Sequence, residues 1–194
     1  MGKKKKITTR SLMTCVVLGA ASAVFVWLAI ALNTLLVGSA PWLAYPAPTP
    51  MFWGMIAAVL LIRRGGMATL TGFIAALIGF GATALAAGLF VELTFFLGRR
   101  LLVVKDRAIF NSSTLTWAMC AGGSAGLSIG LTILIMSAAR DTLPFHLIVL
   151  GIVVKIVLGV LYGAISHFIA RKIFEAGVNP QGLRASALLD PAWG

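Results

Sequence analysis

The chain has 194 residues, 60% of them hydrophobic and only 11% charged, with a mean hydropathy of +1.02 and a formal net charge of +11. Soluble domains average roughly 25% charged and 45–50% apolar residues, so this composition excludes an ordinary water-soluble fold. The basic excess does not point to nucleic acid, because the charges sit in short clusters between apolar runs, as membrane topology requires.

The pattern predicts an all-α, polytopic membrane protein with six transmembrane helices. Spanning β-barrels alternate polar and apolar residues in segments of ~10, and no such alternation occurs. Residues 1–10 form a basic cytoplasmic N-terminus carrying "GKKKK". That run is similar to the start of a signal peptide, but the apolar segment after it is long and has no clear cleavage site, so it reads as a retained first span. The first span covers 11–37. The stretch "GSAPWLAYPAPTP" (38–50) is a loop, since its prolines forbid continuous helix.

The second span covers 51–62 and stops at "RRGG"; the third covers 67–80 and is rich in small residues. Both are short for a bilayer, which needs ~20 apolar residues. The fourth runs over 82–97 to "GRR", the fifth over 110–139, and the sixth over 145–174 after the turn "RDTLP". The membrane domain is therefore 11–174, and 175–194 form a cytoplasmic tail. Of the 16 Lys and Arg residues, all but Arg140 and Lys155 fall on the side of the two termini, which places that side in the cytoplasm.

Lys155 is the anomaly, a cation with about ten mostly apolar residues on either side. Burying it costs roughly 2.5–3.5 kcal/mol on insertion scales, so a partner is expected. Gly151, Lys155, Gly159, Gly163 and His167 recur every four residues and share one face, the small-residue face that packs on other helices. Lys155 is therefore expected to point inward. Glu92 shares a face with Gly88 and Ala84 and lies about as far from the outer end of its span as Lys155 does from its own. Glu92 and Lys155 are expected to meet, directly or through a ligand; a permanent buried ion pair is the alternative.

Polar and aromatic residues inside the bundle, including Trp117 and Ser113 on the fifth span and Asn33 on the first, suit a small organic molecule. Trp42 and Tyr45, among prolines in the loop, fit either an external lid or interfacial anchors. Glycine and alanine pairs (Gly19 with Ala23, Gly72 with Ala76, Gly122 with Gly126) fit internal packing or a docking face. Cys15 and Cys120 lie in apolar runs with no metal-ligand spacing, and His146 and His167 are about six turns apart on one helix. No Walker loop, HExxH or GxSxG motif occurs, and the five carboxylates form no pair at membrane depth. No cofactor or metal is implied.

Four features resemble an energy-coupling factor (ECF) transporter S component of the Trep_Strep (Mpt-type) or hydroxymethylpyrimidine-type branch. They are the six-span order with both termini inside, the stretch "PMFWGMIAAVLLIRRGGMATLTGFIAALIGF", the fourth span "AGLFVELTFFLGRR", and the closing "GVLYGAISHFIARKIFEAGV". The resemblance implies a non-enzymatic subunit in the cell membrane. It would bind a vitamin or similar micronutrient near the outer leaflet and work with a T subunit and two cytoplasmic ATPases. It also implies that Glu92 contacts the ligand and that Gly19, Ala20, Ala23, Gly72 and Ala76 dock the T subunit. Lys155 departs from the pattern. The alternatives are an intramembrane enzyme acting on a lipid or prenyl group, which needs converging acidic or His residues, and a structural or regulatory bundle without a ligand cavity.

Overall fold

Among the described residues, six α-helices follow the expected order, and local chemistry sets their ends. The computed structural model describes residues 8–44, 47, 49–79, 81–98, 110–135 and 143–178. Tyr45, the lysine run at 3–6 and residues 179–194 of the tail lie outside the described residues.

Helix α1 (Thr9–Ser39) opens on Thr8, whose Oγ1 accepts the Ser11 amide at 3.3 Å, and ends just before Pro41, which disfavours helix in the residue preceding it. Helix α2 (Trp53–Ile62) closes on Arg63 in the left-handed region at φ 51°. That conformation costs a non-glycine residue roughly 1–2 kcal/mol. In "RRGG" the reversal thus begins on the first arginine, and Gly66 at φ 89° completes it. Helix α3 (Met67–Gly79) follows at once and turns into α4 (Ala82–Gly98). Helix α5 (Ser112–Ile135) starts on a reciprocal cap, in which Asn111 Oδ1 accepts the Thr114 amide at 2.8 Å and Thr114 Oγ1 accepts the Asn111 amide at 2.9 Å. Helix α6 (Phe145–Glu175) begins after Pro144.

Among the described residues, only α1, α5 and α6, with 31, 24 and 31 residues, are long and apolar enough to cross a membrane individually. Helices α2, α3 and α4 have 10, 13 and 17 residues. Their shortness has a structural reason. Residues 54–62 of α2 are all buried, and α2 contacts each of the other five helices. Its ends meet protein, where irregular backbone at membrane depth is tolerated. The α3–α4 turn rests against the middle of α1: Cβ atoms at Gly79 and Gly81 would stand 2.8 and 2.7 Å from the Val26 side chain. Trp27 Nε1 donates to the Ile78 carbonyl at 3.3 Å beside it. That turn lies roughly 20 Å short of Ser39, at about 1.5 Å of rise per residue.

Two glycine seams hold the bundle together. A Cβ at Gly122 would run into the Gly159 carbonyl, one at Gly126 into the Lys155 carbonyl, and one at Gly163 into the Ala118 carbonyl. Helices α5 and α6 therefore touch backbone to backbone, the contact that drives association where lipid offers no hydrophobic gain. In the second seam, Cβ atoms at Gly72 and Gly88 would lie 2.9 Å from the Ala84 and Ala68 carbonyls, joining α3 to α4. Opposite its glycine face, α6 exposes Val149, Val153, Val157, Leu161 and Ile165, spaced by four, as an apolar stripe.

Candidate functional site

Lys155 points inward as its glycine face requires, and is 2% exposed. Its Nζ donates to the Ala44 carbonyl at 2.9 Å, so the amine of α6 meets the loop between α1 and α2. Three other contacts seat that loop. Asn33 Oδ1 on α1 accepts the Ala47 amide at 2.6 Å, and Thr49 Oγ1 donates to the Phe25 carbonyl at 3.1 Å. The Trp42 carbonyl lies so close to Gly151 that a Cβ there would overlap it. Ala44, Ala47, Met51 and Phe52 are buried, so the proline-rich segment is folded into the bundle. Of the residues expected at the site, the structure brings Lys155, Asn33 and Trp42 together here.

Glu92 is elsewhere. It is 6% exposed, and its Oε1 accepts the Gly66 amide at 2.6 Å while its Oε2 accepts those of Ala68 and Thr69 at 3.2 and 3.4 Å. The carboxylate thus caps the first turn of α3, where unpaired amides and the helix dipole favour an anion. The expected direct meeting with Lys155 does not occur. Glu92 engages the turn that follows α2, whereas Lys155 engages the loop that precedes it. The depth argument fails because α4 does not start at the outer end of the bundle but at the level of Val26, so ten residues along it lead to the far end. Among the described residues, the ion pairs join Glu175 to Arg171 at 2.8 Å and to Lys172 at 2.9 Å.

The other expected contacts are dispersed. Trp117 is buried between α4 and α5, donating Nε1 to the Thr94 carbonyl at 3.4 Å and standing edge-on to Phe95 at 6.4 Å. Ser113 is half-buried in the first turn of α5, beside Thr114, whose Oγ1 lies 3.1 Å from His167 Nε2. That hydroxyl also donates to the Asn111 carbonyl at 2.9 Å, so it links the start of α5 to the His167 ring. His167 also meets Phe110 edge-on at 5.4 Å and ties α6 to the start of α5. Gly19, Ala23 and Gly72 are buried; a Cβ at Gly19 would stand 2.9 Å from the Thr71 carbonyl, so Gly19 serves the α1–α3 contact. Ala20 and Ala76 are half-buried.

Residues not expected at the site from sequence complete the loop node: Thr49, Ala47 and the Ala44 carbonyl, with Gly151, which the sequence placed only on the packed face of α6. Gly151 carried a signal, as the last member of the glycine ladder toward the loop. The backbone groups carried none, because every residue has them. Among the described residues, no group of three His, Cys, Asp or Glu could hold a metal. An open groove of about 420 Å³ lies on the last turns of α6, lined by Phe168, Ile169, Lys172, Ile173 and Ala176, far from the loop node.

No family model and no curated protein matches the sequence. A solved structure described as the crystal structure of an S-component of an ECF transporter has the same fold, with a TM-score of 0.71, 18% sequence identity, and coverage of 92% of this chain and 91% of that one.

Proposed function

We propose that this chain is the substrate-binding subunit of an ECF-type importer. The observation that carries the reading is the near end-to-end likeness to a solved S component, together with helices apolar enough for a membrane. In this reading all six helices belong to the membrane domain and both termini are cytoplasmic, as the Lys and Arg distribution favours. The loop between α1 and α2 then faces outward. A small micronutrient is captured beneath it, against Lys155, Asn33 and Trp42, with Tyr45 from the same loop. A T subunit and two ATPases drive its release inward. Within the small-residue set on α1 and α3, Ala20 and Ala76 are the members a partner helix reaches first, while Gly19, Ala23 and Gly72 set the α1–α3 spacing beneath them.

Co-expression of the tagged chain with a T subunit and both ATPases from the same genome tests the proposal. A stable four-component complex with ATP-dependent uptake into proteoliposomes is the expected result. A chain that is well folded in detergent yet associates with no T subunit overturns it.

A further inference from the structure

We infer that the groove on the last turns of α6 holds an acidic phospholipid, its phosphodiester on Lys172 and an acyl chain against Phe168, Ile169 and Ile173. The inference needs α6 to lie in a membrane but does not need the binding-subunit reading. The groove encloses about 420 Å³, and among the described residues its walls are apolar except for Lys172. That volume lies within the range of small-molecule sites, roughly 300–1,000 Å³.

The position of the groove along the helix selects a lipid. Between His146 and Arg171, α6 exposes no charged side chain, because Lys155 and His167 are both buried. Its exposed apolar face runs from Val149 to Phe168. At about 1.5 Å per residue this is about 29 Å, close to the ~30 Å hydrocarbon core of a bilayer. Lys172 follows about 6 Å further on, at the level of lipid phosphates. The groove continues that face one turn after Ile165, which is half exposed, so an acyl chain enters from the bilayer without crossing a polar rim.

Charge complementarity selects an acidic head group. The Lys172 side chain is 80% exposed and that of Arg171 50%. Glu175 accepts from Lys172 Nζ at 2.9 Å and from Arg171 Nε at 2.8 Å, so two cations share a single carboxylate and one positive charge is left over. A phosphodiester with no cation of its own matches that excess. A zwitterionic lipid brings a choline cation to the same place, where Lys172 and Arg171 repel it. The ammonium carries three N–H donors, and Glu175 takes one of them.

The test is native mass spectrometry of the purified full-length chain, mixed in detergent with equal amounts of dioleoyl phosphatidylglycerol and dioleoyl phosphatidylcholine. The expected result is a single-lipid adduct about fivefold more abundant with phosphatidylglycerol, the factor that one basic residue contributes at an anionic surface. Glu175→Gln removes the competing carboxylate and should raise that adduct by about the same factor, a gain that misfolding does not produce. Lys172→Gln should bring the two lipids to parity, and Arg10→Gln on α1 should leave the preference intact. Ala176→Trp fills part of the groove and should lower both adducts. Equal retention of the two lipids by the unmodified chain overturns the inference. So does a preference for phosphatidylglycerol that survives both Lys172→Gln and Ala176→Trp. The binding-subunit reading is untouched by either result, since it stands or falls with the T-subunit complex.

Discussion

The Glu92 carboxylate on α4 accepts the Gly66 amide at 2.6 Å, and through its second oxygen it also caps Ala68 and Thr69 at the start of α3. A charge buried among apolar helices is thus offset by the amides of a helix N-terminus. This end of the fold depends on it: the turn begins on a strained Arg63, ends on Gly66, and packs Gly65 under Phe96.

Glu92→Gln should therefore act on stability. The amide keeps one acceptor oxygen but turns its NH₂ toward backbone N–H groups, leaving at least one buried donor unsatisfied. The expected loss is about 1–3 kcal/mol, seen as a lower thermal midpoint in detergent. Ligand affinity of the folded fraction should not change, because the loop node lies at the other end of α2.

Asn33→Ala removes the acceptor for the Ala47 amide and should loosen the loop. Hydrogen exchange of the peptide containing Ala47 should speed up about five- to tenfold, the equivalent of a lost bond worth about 1 kcal/mol. Exchange in α5 should stay unchanged.

Gly159→Ala places a methyl against the Gly122 carbonyl and should cost about 1–3 kcal/mol by forcing α5 and α6 apart. Gly38→Ala is the control: its Cβ meets nothing within 4 Å, and the added helix propensity should stabilise α1 by up to about 1 kcal/mol. Thermal unfolding of both variants in one detergent would show opposite shifts.

Thr114→Val removes the hydroxyl that pairs with His167 Nε2 and accepts the Asn111 amide. Two polar groups lose a partner, and the expected loss is about 1–3 kcal/mol. An unchanged thermal midpoint would show that the α5–α6 junction does not depend on this bond.

The helices and their packed faces were legible in the sequence, because both depend on residue type and period. Continuous apolar stretches require helices in lipid, because no water is available there to pair with an irregular backbone. The four-residue ladder on α6 put Lys155 on the packed face, and the glycines on α5 marked the surface it packs against; both hold in the structure. Depth and partnership were not readable. Periodicity gives the angle of a side chain around its own helix but not the height of that helix in the bundle. The heights were reset when α2 was buried whole and the α3–α4 turn stopped at Val26. Only the tertiary structure decided that Glu92 belongs to the α3 amides and Lys155 to the loop, because the groups they meet are backbone amides and carbonyls, which every residue carries and no sequence pattern distinguishes.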